Sequence, residues 1–300
     1  MLKNQEGSPD SKFDYRTLSS SYTARHASTE AVRFDSVDYA HPNGVAALNS
    51  INLSIKSGEL VAILGTNGAG KSTLVRHMNA ILKPTHGNVY VFGANTKETT
   101  AATLSRRVGI VFQNPNNQLF AQSVRKEIEF ALRNFGFDSD VARRRTDWAL
   151  NTFSLLEYSD RPPMELSGGE KKRLCVGLVL AWDPDVVILD EPTVGQDSEQ
   201  KEKLSQIITL LLAQKKTVIL VTHDVEFVWP LQPRIILMSQ GRVTADGEAQ
   251  AILGDITATE KANVLAPQLV ELSRMMDWTG RMPKDQFETR DRLYEFRRRA

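Results

Sequence analysis

The stretch Leu60-Val61-Ala62-Ile63-Leu64-Gly65-Thr66-Asn67-Gly68-Ala69-Gly70-Lys71-Ser72-Thr73 constrains the fold of this chain more than any other. Its apolar start predicts a short, fully buried strand. Three glycines in six positions follow, and then Leu74, Val75, Met78 and Ile81 at the apolar spacing of a helix. Gly65, Gly70, Lys71 and Ser72 satisfy the pattern G-x-x-x-x-G-K-[ST], and a strand before it and a helix after it are the context that confirms such a match. Glycines let the backbone curl so that several N–H groups converge as an anion nest, backed by the positive end of the following helix. Lys71 is then placed to reach the β- and γ-phosphates, and the Ser72 hydroxyl to coordinate Mg²⁺. The plainer alternative, a glycine-rich turn before an ordinary helix, leaves the lysine unexplained. The stretch implies a nucleoside triphosphate site.

A second half of that site is legible downstream. Val186-Val187-Ile188-Leu189-Asp190-Glu191-Pro192 reads as a strand buried on both faces and ending in two carboxylates. Acidic residues at the C-terminal end of such a strand lie where the ligand of a parallel sheet lies. Successive side chains on a strand point to opposite faces, so the two acids take different roles. Asp190 suits the Mg²⁺ shell, and Glu191 suits orienting or deprotonating an attacking water. Leu166-Ser167-Gly168-Gly169-Glu170 then opens a helix, with Ser167 and Glu170 at capping-box spacing. Two glycines in a first helical turn weaken the helix. What they offer instead is bare backbone N–H groups that a phosphate can approach closely.

The remainder sets the architecture. Residues 1–30 are polar and Ser/Thr-rich and read as a disordered extension. Strand patterns begin at Ala31, with a turn at His41-Pro42-Asn43-Gly44 and further strands over 47–55, 60–64, 88–92 and 108–112. The texture between Gln118 and Pro163 is helical, over 124–135 and 141–156, which reads as a helical subdomain of about 118–182. Strands return over 186–189, 218–221, 235–238 and 243–245. The expected fold is α/β: a P-loop NTPase with a mainly parallel sheet flanked by helices, an antiparallel β portion near the N-terminus, and a helical subdomain. The nucleotide-binding domain spans 31–246, and 247–300 form a mostly helical extension. With 37 Lys+Arg against 36 Asp+Glu, there is no electrostatic case for a nucleic-acid partner. The lone cysteine, Cys175, excludes an intrachain disulfide and lies in an apolar stretch that favours a core residue over a nucleophile. No apolar run approaches the ~20 residues needed to span a bilayer, so a membrane role needs a partner.

The set Gly65 to Thr73, Gln113, Leu166 to Glu170, 186–192, Asp197 and His223 resembles the nucleotide-binding subunits of ATP-binding cassette (ABC) transporters. These motifs correspond to that family's Walker A loop, Q-loop, signature, Walker B, D-loop and H-loop, in the family's order. The resemblance implies ATP with Mg²⁺ as cofactors. It implies that Gln113 meets Mg²⁺ and the attacking water, and that His223 contacts the γ-phosphate. It also implies a head-to-tail dimer with a second ABC ATPase subunit, identical or paralogous, in which Ser167, Gly168 and Gly169 complete the partner's site. An aromatic ring usually stacks on adenine in this family, and here either His41 or Tyr39 can take that place. The D-loop reads Gly195-Gln196-Asp197, where most ABC proteins carry Leu in the middle.

Val111-Phe112-Gln113-Asn114-Pro115-Asn116-Asn117-Gln118-Leu119-Phe120, the signature S-G-G-E-K-K-R and Val264-Leu265-Ala266-Pro267-Gln268-Leu269-Val270-Glu271-Leu272 are similar to the energy-coupling factor (ECF) and cobalt/nickel-type importers. That narrower likeness implies a peripheral subunit on the cytoplasmic face of the membrane. Its expected partners are a transmembrane coupling subunit and a separate membrane substrate-binding subunit, and its expected cargo is a vitamin or a transition-metal ion. Leu119 and Phe120, flanked by neutral amides, read either as anchors of a docking groove for a partner helix or as a seal of the helical insertion onto the core. The rival readings are the ATPase of an ordinary ABC transporter and a soluble ABC ATPase acting on nucleic acid or ribosomes. No heptad run separates Lys71 from Ser167, and the chain has one cassette, which disfavours the latter.

Overall fold

The computed structural model describes residues 29–276, 282–285 and 288. Residues 1–28 of the extension expected over 1–30, and most of the terminal stretch after residue 276, lie outside them. In chain order the first half comprises β1 (Glu30–Ala40), β2 (Ala46–Lys56), β3 (Leu60–Leu64), α1 (Lys71–Met78), β4 (His86–Val91), β5 (Ala94–Asn95), α2 (Ala101–Leu104), β6 (Val108–Val111), α3 (Val124–Asn134) and α4 (Ser139–Thr152). The second half comprises α5 (Gly168–Ala181), β7 (Val186–Asp190), α6 (Ser198–Ala213), β8 (Thr217–Val221), α7 (Val225–Leu231), β9 (Arg234–Ser239), β10 (Arg242–Glu248), α8 (Ala249–Gly254), α9 (Ile256–Ala262) and α10 (Gln268–Met275).

The strands form two sheets. One is antiparallel, in the order β2-β1-β4-β5; the other runs β10-β9-β3-β8-β7-β6. In the second sheet β9, β3, β8, β7 and β6 are parallel neighbours, and only β10 is antiparallel, paired to β9. The fold is the α/β P-loop architecture expected from the sequence, with an antiparallel sheet at the N-terminal end and a helical block, α3 to α5, inserted between β6 and β7.

The alternation of side chains along the parallel strands splits the interior in two. Val186 and Ile188 of β7, with Ile219 and Val221 of β8, pack toward the antiparallel sheet and α1, where they meet Phe34, Leu48, Leu74 and Met78. Val187 and Leu189, with Val218 and Leu220, face the helical block and the C-terminal helices, among them Leu174, Cys175, Ile208 and Trp229. A strand covered on both faces has no polar side to present, which is why β7 and β8 read as unbroken apolar runs. Cys175 is a core residue, with 0% exposure, and burial pushes its thiol pKa up to about 12.

Two boundaries differ from the sequence reading for local reasons. β1 begins at Glu30, inside the segment expected to be an extension. α1 stops at Met78, before Ile81, because the Asn79 side chain accepts from the Ile81 N–H and Ala80 turns left-handed at φ 59°. Ile81 is left 45% exposed.

Candidate active site

Strands β3, β8 and β7 are adjacent and parallel, so the residues that leave their C-terminal ends are neighbours in space. β3 delivers the glycine loop, β8 delivers Thr222 and His223, and β7 delivers Asp190 and Glu191. β6, beside β7, delivers Gln113, which is exposed. Segments distant in sequence therefore converge at the crevice where parallel sheets bind ligands.

The loop from Gly65 to Gly70 has the backbone its glycines permit. A Cβ at Gly65 would stand 2.2 Å from the Met238 carbonyl oxygen, and one at Gly70 would stand 2.6 Å from that of Ala47. Both have positive φ, 152° and 99°, so neither position accepts a side chain. α1 starts directly at Lys71, with no side-chain cap and no acidic residue in its first turn. Its first N–H groups and positive dipole end therefore remain available to an anion. Lys71 is buried, and its ammonium donates to the carbonyls of Gly65 (2.7 Å) and Thr66 (3.0 Å). Burial lowers its pKa, against the opposing pull of the Glu191 and Asp190 carboxylates.

Asp190 is 4% exposed, and its Oδ1 is buried without a hydrogen-bond partner among the described residues. Burial raises its pKa, while a hydrogen bond from the Ser72 side chain acts the other way. A buried carboxylate oxygen left without a donor is costly. Beside a serine hydroxyl, it has the hard oxygen chemistry that Mg²⁺ selects. The residues present fit that ion.

Glu191 is the most constrained side chain of the site. It is buried at 5% exposure and adopts a left-handed backbone, φ 51°, rare for a residue with a Cβ. Its N–H donates to the Val221 carbonyl at 2.7 Å. Oε2 accepts from the Thr222 hydroxyl at 3.2 Å, and Oε1 lies 3.0 Å from His223 Nδ1. The His223 side chain is 66% exposed, so one ring edge is tied to Glu191 while the rest faces outward. From below, Lys172 of α5 donates to the Glu191 carbonyl at 2.7 Å and to that of Val194 at 2.7 Å. Thr222 and Lys172 did not emerge from the sequence. A hydroxyl leaving a buried strand beside His223 was a signal for the first; Lys172 carried none, because its partners are backbone atoms nineteen and more positions away.

The other expected residues lie apart from this cluster. Ser167 caps α5 in a complete capping box: its N–H donates to Glu170 Oε2 at 2.7 Å, and its Oγ accepts from the Glu170 N–H at 3.3 Å. The bond from the Ser167 N–H, with the Ser167 hydroxyl beside it, holds the Glu170 carboxyl below its usual range. Gly168 faces open space, with nothing within 4 Å of where a Cβ would stand. None of the hydrogen bonds of Ser167, Gly168 and Gly169 among the described residues reaches the phosphate loop. Tyr39 and His41 are half-buried beside α1. The Tyr39 ring meets His41 edge-on at 5.1 Å and His77 of α1 at 4.8 Å. Asp197 caps α6 through the Gln200 N–H at 2.8 Å.

The docking segment divides. Leu119 is 3% exposed and belongs to the core, whereas Phe120 is 66% exposed and meets Phe130 edge-on at 5.0 Å. Gln118 is turned inward, donating to the Ile110 carbonyl at 3.2 Å. The buried Glu127 carboxylate accepts from the N–H groups of Phe120 (2.8 Å) and Ala121 (2.7 Å), fixing the loop. Phe120, Phe130, Phe135, Trp182 and Arg106 line an open groove of about 610 Å³.

A phosphate-binding loop, a buried acid pair and a helical block carrying S-G-G-E define an ABC-type ATPase. Residues 48–194 match the family model described as ABC transporter. The chain is 35% identical over 247 residues to the energy-coupling factor transporter ATP-binding protein EcfA of Methanocaldococcus jannaschii, covering 82% of this chain and 88% of that one. The solved structure of cbiO1 from Clostridium perfringens, part of the ABC transporter complex cbiONQ, superposes with a TM-score of 0.68 at 33% identity, covering 83% of this chain and all (100%) of that one. A dimeric ATP-binding cassette bound to ADP and Pi in a post-hydrolysis state superposes with a TM-score of 0.66 at 30% identity, over 72% of this chain and 98% of that one. The chain belongs to the ATP-binding subunits of the ABC transporter family, and it is a nucleotide-binding ATPase. Among the described residues, no helix is long and apolar enough to cross a membrane.

Proposed function

We propose that this chain is the ATP-hydrolysing subunit of an ECF-type importer, driving uptake of a vitamin or a transition-metal ion through a membrane partner. The observation that carries the hydrolytic role is the pairing at the end of β7. Asp190 holds a bare buried oxygen beside Ser72, and Glu191 is fixed by Thr222, His223 and Lys172. ATP lies with its phosphates over Gly65 to Thr73, where the loop N–H groups and Lys71 neutralise them. Tyr39 or His41 stacks on adenine. Ser72, Asp190 and Gln113 would hold Mg²⁺, which supplies charge neutralisation at the phosphates. Glu191 orients a water and takes its proton as the water oxygen bonds to the γ-phosphorus. The bond from that phosphorus to the β–γ bridging oxygen breaks, leaving ADP and phosphate. His223, tied to Glu191 on one edge, presents its other edge to the γ-phosphate.

The site is completed in a head-to-tail dimer with a second ABC ATPase, whose Ser167, Gly168 and Gly169 equivalents close on the nucleotide. The exposed, unobstructed N-terminus of α5 supports this. The groove at Phe120 and Phe130 receives a helix of a transmembrane coupling subunit, and a separate membrane subunit binds the cargo. The chain would then sit peripherally on the cytoplasmic face. The relatives named as energy-coupling factor and cbiO proteins support the importer class over an ordinary ABC transporter.

Glu191→Gln tests the chemistry. Hydrolysis is expected to fall by about 10²-fold or more, the scale of a lost general base, with ATP binding retained. Near-normal turnover would remove Glu191 from the role. Copurification from detergent-solubilised membranes tests the assembly, the expected companions being a second ATPase and integral membrane subunits.

A further inference from the structure

The signature helix α5 contributes a contact to the acid pair that the roles assigned above leave unused. Lys172 follows Gly168 by four positions and Gly169 by three, so it shares their face of the helix. Its ammonium bridges two backbone carbonyls, Glu191 at 2.7 Å and Val194 at 2.7 Å, spanning the turn that leaves β7. That turn opens with Glu191 in the left-handed region at φ 51°, a conformation that persists only where the surroundings impose it. The other hydrogen bonds of Glu191 among the described residues are made with β8 and the residues just after it: its N–H donates to the Val221 carbonyl, and its carboxylate meets Thr222 and His223. Lys172 therefore ties Glu191 to an element outside the sheet, the helix whose first residues meet nucleotide in the proposed dimer.

We propose that Lys172 is a positioning residue: it holds the Glu191 backbone from the signature helix, so that the place of that helix and the aim of the carboxylate are set together. The proposal rests on the reading of Glu191 as the base. In the dimer, nucleotide closing on Gly168 and Gly169 of one chain then bears on Glu191 of the same chain, which serves the other site. A shift of the carboxylate by a fraction of an ångström weakens water activation without touching the phosphate loop.

The test is a double-mutant cycle in the full chain within its ATPase-active assembly, read by single-turnover ATP hydrolysis, nucleotide affinity and thermal midpoint. Lys172→Met is expected to lower the hydrolysis rate on the order of ten-fold, with the nucleotide Kd unchanged within about two-fold. Lys172→Arg, which keeps the charge and the donors, is expected to recover most of the rate. In a Glu191→Gln background, Lys172→Met is expected to change the residual rate little, since a residue acting through Glu191 has nothing left to position. Equal losses in both backgrounds overturn the proposal. So does a Met variant that loses affinity and thermal midpoint together and is not rescued by Arg, which marks an ordinary packing lysine. If Glu191→Gln alone keeps near-normal turnover, the base assignment falls first and this proposal with it. Should Lys172→Met fail to fold, Lys172→Gln, with one amide in place of the ammonium, enters the same cycle with the same expected pattern.

Discussion

Buried polar side chains in this protein divide into those whose partners are all present and those left with an idle atom. Glu127 and Thr222 are of the first kind, each bonded to backbone or side-chain groups. Among the described residues, Asp190 Oδ1 and His77 Nε2 make no hydrogen bond of good geometry, although the Lys83 backbone still acts on the His77 ring. For Asp190 the idle atom fits a cation. For His77 the consequence is one of stability. His77 is 0% exposed, its Nδ1 lies 2.8 Å from the Thr73 carbonyl oxygen, and burial holds its pKa below the usual histidine value. In the unfolded chain this imidazole takes up a proton near pH 6.5, while the folded one resists it. The unfolded state then binds more protons, so stability present above about pH 6.5 is lost as the pH falls toward and through the folded value. Chemical denaturation at pH 7.5 and 5.5 checks this: the wild type is expected to lose more stability on acidification than His77→Gln. Nothing in the residues around His77 marks it out, because its character comes from Tyr39 and the chain packed over α1 rather than from its neighbours.

At the scale of elements, the loop between β6 and α3 shows how one segment serves both interior and surface. Leu119 seals the core, Glu127 grips the backbone behind it, and Phe120 is left outside against Phe130. The two hydrophobic residues were expected to act together; the structure gives them opposite duties. Leu119→Ala should therefore destabilise the fold by about 2–5 kcal/mol, the range for a large-to-small core change. Phe120→Ala should cost only about 1 kcal/mol, the worth of an edge-on aromatic pair. On the proposed docking role, Phe120→Ala also leaves the isolated subunit's ATPase intact but releases it from the membrane partner. Thermal melts and copurification separate the two effects, and a Phe120→Ala subunit that copurifies as well as the wild type would leave the groove without its assigned partner. The signature turn has a similar double character. Its capping box alone accounts for Ser167 and Glu170. Gly168 and Gly169, which the cap does not need, are left bare for the facing nucleotide of the proposed dimer.

For the whole molecule, mixed subunits test whether the proposed site is shared between two chains. On the proposed site, Lys71→Ala removes the cation under the phosphates, and that chain's own loop is expected to fail. Ser167→Arg leaves its own loop intact but places a bulky cation in the facing site. In a dimer of one chain of each kind, one interface carries both lesions and the other neither. Verified mixed dimers are expected to recover up to about half of the wild-type hydrolysis, if one intact site turns over alone. Complete inactivity would count against composite sites or against their independence.

The phosphate loop, the acid pair and the layered α/β fold were legible in the sequence because each depends on local rules. Gly65 and Gly70 are where a side chain would collide with carbonyls, and the unbroken apolar run of β7 announces burial on both faces. Their order also sufficed to place Asp190 and Glu191 beside Lys71, since parallel strands gather their C-terminal ends. What only the tertiary structure decided were contacts between side chains and backbone groups of other segments, whether seven or nineteen positions away, together with the left-handed turn at Glu191. Lys172 on the Glu191 carbonyl, Gln118 on the Ile110 carbonyl, Glu127 on the Phe120 N–H and the left-handed turn at Glu191 belong to this class. A backbone carbonyl or N–H is present at nearly every residue, so the sequence does not mark which one a long polar side chain will find; packing of α3 and α5 against β6 and β7 makes that choice.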